Sequence, residues 1–293
     1  MRIEFLGSGG AIPTPRPGCD CRVCAQARAR GVPYSRMGPS IFVHGPDLLI
    51  DTPEDIVHAL NRANIRQVKA ATYSHWHPDH TAGIRVWESL NLRLWDWPPK
   101  NLVTTIYLPQ KVKEDFDHWQ GLAEKLDYLE KRLRVVKQVI VPEGESFVVG
   151  DTAVQPVLLP NALDASQAHV YAFILDDGAA RVLIAPDELV GWTPPDLGPL
   201  DLAILPAGLF EFDPLTGERI IPVEHPVLKS EATFEQTLEI VRQLGAPRTI
   251  LTHIEEADGA SYDDLIKVQR KLMTERRELG NVSFAFDRLQ VNV

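Results

Sequence analysis

The sequence predicts an α/β fold, and three observations support this prediction. Short apolar runs bounded by turn residues, such as RIEFLG, DLLIDT, AATYSH and RVLIAPD, are typical of strands. Stretches such as EDIVHALNRAN, ATFEQTLEIVRQLG and YDDLIKVQRKLMTERRELG, which lie between such runs, have the periodicity of amphipathic helices. Polar residues follow apolar strands at Asp51, His75, Asp187 and His253. Because strand ends can meet at one crevice, these four residues are expected to converge.

Composition and charge indicate a globular protein that acts on small molecules. The 293 residues are 44% hydrophobic and 24% charged, and they contain no internal repeat and no linker rich in Ser or Gly. One domain over residues 1–293 is therefore predicted. The net charge of -10 would repel a polyanion, so a small substrate is favoured over nucleic acid.

The chain shows no sign of a membrane segment or a leader. No apolar run approaches the ~18 residues that a membrane-spanning helix needs. The start, MRIEFLGSGG, alternates like a strand instead of forming a basic and then apolar leader. We expect a cytoplasmic protein.

Residues 92–134 are predicted to form a helical insertion. LWDWPPK precedes KVKEDFDHWQGLAEKLDYLEKRLR, which we interpret as one long amphipathic helix. Two roles stay open for this segment, namely a lid that supplies apolar walls to a pocket and an extra layer of packing.

A dense group of metal-ligand residues lies in the stretch HWHPDH. His75, His77, Asp79 and His80 place four donors within six positions. Imidazole and carboxylate groups are ligands for zinc, manganese and iron, and four donors suit two adjacent ions better than one. Two such ions can activate a water between them.

The three cysteines indicate a second metal site. Cys19, Cys21 and Cys24 are an odd number clustered within six residues, which is unlike a set of extracellular disulfides. A tetrahedral zinc ion would fix this loop, which is rich in Pro and Gly. Free thiols or a reactive pair are the alternatives.

On these residues the chain resembles the metallo-β-lactamase fold hydrolases. The family motif HxHxDH stands here at residues 75–80, FLGSGGAIPTP resembles the opening of its phosphodiesterase and tRNase Z branch, and LLIDTPED and ILTHI resemble further motifs. The GCDCRVC insertion is most similar to the branch of the phosphoribosyl cyclic phosphate phosphodiesterase of carbon-phosphorus lyase pathways. The resemblance implies a four-layer αββα sandwich with its site at one edge, between two sheets.

The resemblance also assigns metal ligands by position. His75 and His77 would bind a first ion, and Asp187 would bridge it to a second. The ligands of the second ion would be Asp79, His80 and His253.

Two departures from the family pattern affect the predicted active site. Asn161 stands where a histidine is expected, so it is predicted as a weak ligand, with His169 as a possible replacement. Glu231 also stands where a histidine is expected. We predict Asp79 and Glu231 as catalytic residues, with Glu231 as a general acid if burial raises its pKa. The alternative for Glu231 is a carboxylate favoured by the start of a helix.

In the related branch the three cysteines hold a structural zinc together with a later histidine. Here Glu255 and Glu256 occur in place of that histidine. His225 is therefore predicted as the fourth ligand, with Glu256 as the alternative.

The resemblance implies a metal-dependent phosphodiesterase acting on a small cyclic or diester phosphate, such as a phosphoribosyl cyclic phosphate. One or two catalytic divalent ions (Zn, Mn or Fe) and one structural Zn are the predicted cofactors. The alternatives are a tRNase Z-like RNA 3′-processing nuclease and a non-catalytic, small-molecule binding relative of the pyrroloquinoline quinone biosynthesis type. A small phosphate ester is the predicted partner; nucleic acid and membrane are not expected, and a homodimer is left open.

Overall fold

The computed structural model of the chain describes residues 1–160 and 168–293. Within these residues the strands are β1 Arg2–Gly7, β2 Ser40–His44, β3 Leu48–Ile50, β4 Ala70–Thr72, β5 Thr104–Pro109, β6 Val136–Val141, β7 Phe147–Val149, β8 Thr152–Leu158, β9 Tyr171–Asp176, β10 Arg181–Ile184, β11 Leu202–Pro206, β12 Arg248–Thr252, β13 Asn281–Phe284 and β14 Gln290–Asn292.

The strands of the described residues form two seven-stranded sheets of similar design. The first has the order β14-β1-β2-β3-β4-β5-β6 and the second the order β13-β12-β11-β10-β9-β8-β7. In the first sheet the pairs from β14 to β3 are antiparallel and those from β3 to β6 are parallel. The second sheet is antiparallel from β7 to β10 and parallel from β10 to β13.

Helices connect and cover the sheets. The α-helices are α1 Arg22–Arg30, α2 Ile56–Ala63, α3 Pro78–Thr81, α4 Val86–Asn91, α5 Gln110–Phe116, α6 Leu122–Asp127, α7 Phe234–Leu244 and α8 Tyr262–Glu275. A π-helix spans Tyr128–Leu133, and 3₁₀-helices span Pro226–Lys229 and Arg277–Leu279. Throughout residues 1–160 and 168–293, none of the helices has the length and apolar character needed to cross a membrane.

The alternation of side chains along β10 shows how the layers are built. Val182 and Ile184 belong to the core shared by the two sheets, whereas Leu183 and Ala185 pack in a second core beneath α7 and α8. Because successive side chains of a strand point to opposite faces, this strand is buried on both sides. The predicted α/β fold with four αββα layers is confirmed.

The segment 92–134 differs from the predicted single helix. It contains β5, which pairs with β4 and β6 inside the first sheet, and its helical part is divided between α5, α6 and the π-helix. The division falls where Gln120 and Gly121 both have positive φ, at 56° and 63°. Since a right-handed helix needs negative φ, the helix predicted over 111–134 is wrong at this point.

Candidate metal centre and active site

The stretch from His75 to His80 forms a loop that enters a single helical turn. Pro78 begins α3, so Asp79 and His80 lie on that turn, while the first two histidines precede it. The Thr81 hydroxyl donates to the carbonyls of Trp76 at 3.0 Å and His77 at 2.9 Å. These bonds close the loop on the helix and hold its ligand side chains close together.

Asp51 organises the base of this loop from the end of β3. It is buried, and its carboxylate accepts hydrogen bonds from the Ser74 amide and hydroxyl, both at 2.7 Å. Its Oδ2 also lies 2.8 Å from Nδ1 of His80. A carboxylate on one ring nitrogen of a histidine fixes the other nitrogen as a ligand, so Nε2 of His80 is the atom presented to the site.

The structure brings the predicted ligands into two groups that share Asp187. Ligand atoms within each group all lie within 4.8 Å of one another. The first group is His75, His77 and Asp187, and the second is Asp79, His80, Asp187 and His253.

Asp187 faces both groups from the end of β10. Its Oδ2 lies 3.2 Å from Nε2 of His75 and 3.5 Å from Nε2 of His80, and its Oδ1 lies 3.4 Å from Nε2 of His253. A carboxylate with histidines of both groups around it has the position of a bridging ligand.

The residues present fit divalent metal ions. Nε2 of His75, His80 and His253 is buried without a hydrogen-bond partner among the described residues. Buried polar nitrogens are costly unless they are paired. Since imidazole and carboxylate are the ligands of zinc, manganese and iron, a bound ion would satisfy all three nitrogens.

The electrostatics of the site favour ionised aspartates beside neutral imidazole at His77. Burial lowers the pKa of His77 to about 4, with a smaller contribution from His75, so this ring is neutral near pH 7. Burial opposes ionisation of Asp79, but the neighbouring imidazoles of His80 and His253 hold its pKa below the ordinary value. Neutral imidazole and ionised carboxylate are the forms that bind metals.

A pair of glutamates lies beside the metal ligands. Burial, together with a hydrogen bond to Glu188, raises the pKa of Glu231 to about 10. Glu188 also accepts hydrogen bonds from the amides of Ala232, at 3.0 Å, and Val190. Two carboxyl groups that bond each other share a proton, because both cannot ionise at such short range. The alternative interpretation of Glu231 was a carboxylate at the start of a helix. Glu231 instead lies before α7, whose N-cap is Thr233.

Both glutamates line a cavity of about 350 Å³ above the metal ligands. The other lining residues are Ala11, His77, Asp79, Ala168, Val170, Asp187, Leu209, Val227, Ser230, His253, Glu255 and Ala257. The cavity therefore adjoins both the metal ligands and the proton that the two glutamates share.

Glu255 connects His253 to the loop after β1. Its Oε1 accepts a hydrogen bond from the Ala11 amide at 3.0 Å and lies 3.3 Å from Nδ1 of His253. A Cβ atom on Gly10 would lie 2.0 Å from Oε1 of this carboxylate, so a larger residue at position 10 would displace the Glu255 side chain. Glu255 thus relates to His253 as Asp51 relates to His80, with the carboxylate on Nδ1 and Nε2 left for a metal.

The cysteine cluster is completed by Glu256. Oε1 of Glu256 lies 3.6 Å from Sγ of Cys19, 3.5 Å from Sγ of Cys21 and 3.0 Å from Sγ of Cys24. These four ligand atoms form a third candidate metal group, and Glu256 is buried. Burial raises the pKa of Cys24 to about 12, so a cation is needed to hold all three sulfurs as thiolates.

His225, which was predicted as the fourth ligand of the cysteines, is not in this cluster. It is exposed at the start of a 3₁₀-helix, and its Nδ1 accepts a hydrogen bond from the Val227 amide at 3.2 Å. The structure places the alternative, Glu256, beside the three cysteines and places His225 apart from them, which contradicts the prediction that His225 joins the cluster. Glu256 follows β12 by only a few residues, and this strand end lies against the loop after β1.

Of two further residues considered for the first group, the structure describes only His169. Asn161, the predicted weak ligand, lies outside the described residues. His169 was considered as its replacement, but its Nδ1 lies 3.0 Å from Oδ1 of Asp115, and its amide donates to Oδ2 of the same carboxylate at 2.8 Å. Asp115 therefore holds His169 against α5.

Sequence reasoning missed Glu188 and Ser74. Glu188 directly follows the predicted bridging ligand, and this adjacency was the available signal. Its contact with Glu231 depends on the fold, because 42 residues separate the two glutamates. The Ser74 hydroxyl lies 3.0 Å from Nδ1 of His75 and 3.3 Å from Nδ1 of His80, and its position beside His75 was the only indication.

A family model described as the beta-lactamase superfamily domain matches residues 46–254 of the chain. The chain is also 25% identical to an octanoyltransferase from Porphyromonas gingivalis over 262 residues, which cover 87% of this chain. The match covers 46% of that protein, so the chain spans less than half the length of this curated relative.

Several solved structures share the architecture. A diphosphatase of the PhnP family superposes with a TM-score of 0.67 at 21% identity, covering 100% of this chain and 97% of that chain. The Zn²⁺-bound PqqB from Methylobacterium extorquens gives 0.66 at 16% identity, covering 100% of both chains. The short form of human tRNase Z gives 0.63 at 16% identity, covering 100% of this chain and 99% of that chain. At these identities the likeness is one of fold.

Proposed function

Because the chain belongs to the beta-lactamase superfamily, we propose that it is a metal-dependent phosphodiesterase that hydrolyses a small cyclic or linear phosphate diester. One observation carries this proposal. The buried Nε2 atoms of His75, His80 and His253 meet two aspartates beneath a cavity that also holds a carboxyl pair. Metal ligands next to a proton source are what hydrolysis of an ester needs.

The side chains of the two groups would hold one ion each. His75 and His77 would hold one ion, Asp79, His80 and His253 would hold the other, and Asp187 would bridge them. When bound, such ions supply Lewis-acid stabilisation of phosphoryl charge and an activated water. Asp51 and Glu255 keep Nε2 of two histidines directed into the site.

Glu231 is the proposed general acid. Its carboxyl faces the cavity and shares a proton with Glu188, so a proton is available beside the metal ligands. As the bond from phosphorus to the leaving oxygen breaks, that oxygen gains negative charge and Glu231 donates its proton to it.

Two alternative activities receive less support. The net charge of -10 and the acidic cavity disfavour an RNA substrate of the tRNase Z type. The similarity to an octanoyltransferase gives little support for octanoyl transfer, because more than half of that protein lies outside the match. The phosphoribosyl cyclic phosphate implied by the sequence resemblance is a small cyclic diester that also carries a second phosphate on its ribose.

The test is chelator-sensitive cleavage of bis(p-nitrophenyl) phosphate by the purified protein, with bound metal measured by elemental analysis. Asp79→Ala should reduce turnover by at least about 10²-fold, because it removes a ligand of the second group. His225→Ala is the matched control and should retain full activity, since this residue lies outside both groups. Turnover that survives both a chelator and Asp79→Ala would contradict the proposal. Bound metal without turnover of any diester would favour the non-catalytic, small-molecule binding alternative.

A further inference from the structure

The cavity above the metal ligands has an uneven distribution of charge. Its acidic lining residues are Asp79, Asp187, Glu188, Glu231 and Glu255, while lysine and arginine are absent from the lining among the described residues. Residues 161–167, with the sequence NALDASQ, contain neither lysine nor arginine. Apart from the histidines of the ligand groups, the described lining therefore offers no cationic side chain to an anionic part of a substrate.

Three acidic residues of the lining lie outside the ligand groups. Asp79 and Asp187 belong to those groups, whereas Glu188, Glu231 and Glu255 do not. Ions held by the ligand groups would supply positive charge at the scissile phosphate. A second phosphate placed farther along the cavity would instead lie against these three carboxyl groups, which offer it no attraction.

The rest of the lining is apolar, and the space is small. Its apolar residues are Ala11, Ala168, Val170, Leu209, Val227 and Ala257. A volume of about 350 Å³ is at the lower end of the range for small-molecule pockets. His253, whose unpartnered Nε2 is buried, lines the same space, so this cavity opens directly onto the ligand groups.

We propose that the site selects phosphate diesters whose organic part, beyond the scissile phosphate, is small and uncharged or cationic, and that it rejects substrates with a second phosphate. This inference rests on the proposed phosphodiesterase function and narrows its substrate class. It excludes the phosphoribosyl cyclic phosphate implied by the sequence resemblance, because that compound carries a second phosphate. A charged phosphate held near Glu188, Glu231 and Glu255 would lose hydration without gaining a counter-ion. An uncharged sugar or alkyl group would instead contact the apolar wall.

The test compares two substrates that differ by one phosphate. Uridine 2′,3′-cyclic phosphate should be cleaved with a kcat/KM at least about tenfold above that of its 5′-phosphorylated form, because of like-charge repulsion in the cavity. Binding gives a second readout that does not depend on turnover. By calorimetry, uridine 3′-monophosphate should bind at least about tenfold more tightly than uridine 3′,5′-bisphosphate. Raising the salt concentration should reduce both ratios.

A variant with an added positive charge in the cavity lining tests the same inference. Val227→Lys places a cation at a lining position outside the ligand groups, and Val227→Gln is a polar control without charge. The lysine should reduce the discrimination against the second phosphate by about tenfold, while the glutamine should leave it unchanged. Equal cleavage and equal binding of the paired compounds by the wild type would overturn this inference and leave the phosphodiesterase function intact. Failure to cleave any diester with metal bound would instead refute the proposed function.

Discussion

At the scale of single residues, Asp51 and Glu255 perform the same task for different histidines. Each places a carboxylate oxygen near Nδ1, at 2.8 Å for His80 and 3.3 Å for His253. Each is also held by backbone amides, those of Ser74 and Ala11. The two histidine ligands are thus fixed by partners on the opposite side of the ring.

The role of Glu255 can be tested by its effect on metal affinity. Glu255→Ala should weaken metal binding at the second group by about 10- to 100-fold, because His253 loses its orienting partner. Glu255→Gln keeps an oxygen acceptor and should restore most of the affinity. Calorimetric metal titration measures both, with the exposed Glu145→Ala as control. Wild-type affinity in Glu255→Ala would exclude a positioning role.

The role of Glu231 as a general acid can be tested by comparing substrates with different leaving groups. Glu231→Gln should lower the cleavage rate of a methyl or ribose diester by about 10²-fold, since an alkoxide needs a proton, but should change p-nitrophenolate release little. The pKa of Glu231 is raised to about 10 by burial and by Glu188, and bound cations would lower it from there. The wild-type rate on an alkyl diester should therefore decline at alkaline pH as Glu231 loses its proton, and this decline should be absent in Glu231→Gln. Equal losses on both classes of ester would argue against a general acid.

The residues that the sequence predicted best are those whose spacing itself is informative. His75, His77, Asp79 and His80 lie within one loop and turn, so their proximity needs no knowledge of the fold. Glu255 differs, because its amide partner Ala11 is 244 residues away in the chain. His225 was favoured over Glu256 from ligand type and sequence position, and neither shows which residue reaches the cysteines.

At the scale of elements, the break between α5 and α6 brings a side chain to the metal loop. Trp119 lies in this break and stacks on Trp76 with ring centroids 5.0 Å apart and an interplanar angle of 17°. Trp76 is the residue between the two histidines of the first group. The apolar pattern of 111–134 predicted helix correctly for most residues but could not show the positive φ at Gln120 and Gly121.

Removal of this stacking contact should affect one metal group more than the other. Trp119→Ala should lower the free energy of unfolding by about 1 kcal/mol, as expected for an aromatic pair, and should weaken the first group more than the second. Chemical denaturation and metal titration measure the two effects. Trp95→Ala, at a side chain that is 97% exposed, is the control and should change neither. An equal loss of affinity at both groups would contradict this local effect.

The cysteine loop and α1 are predicted to depend on an ion held by the cysteine cluster. Glu256→Ala or Cys21→Ser should release one zinc per chain and lower Tm, because the binding free energy of a structural ion contributes to folding. His225→Ala should retain that zinc. Elemental analysis and thermal unfolding measure these outcomes, and zinc lost from His225→Ala but kept by Glu256→Ala would reverse the assignment.

At the scale of the whole molecule, the candidate metal centre joins the two sheets. His75 to His80 follow β4 of the first sheet, whereas Asp187 and His253 follow β10 and β12 of the second. The candidate ligands of the second group therefore come from both sheets. Sequence patterns and the family resemblance predicted the paired sheets with outer helices. They could not predict the contacts between the sheets, because these are made by side chains that are far apart in the sequence.

The order of metal filling should follow the number of donors. The second group has four ligand residues and the first has three among the described residues, so the first equivalent of metal should enter the second group. His77→Ala should keep tight binding of that equivalent, and His80→Ala should lose it. Calorimetry with one and two equivalents measures this order, and equal affinity of both groups in the wild type would contradict it.

Residues 253–256 bring both candidate metal sites into one short segment. His253 belongs to the second ligand group, Glu255 orients it, and Glu256 completes the cysteine cluster. Backbone bonds fix the segment in register with the loop after β1, from the Ile254 amide to the Ser8 carbonyl at 3.0 Å and from the Gly10 amide to the Ile254 carbonyl at 3.1 Å. Insertion or deletion of one residue here would displace ligands of both sites together. A substitution at one position of this segment would therefore affect one site, whereas a change in its length would require both sites to be rebuilt together.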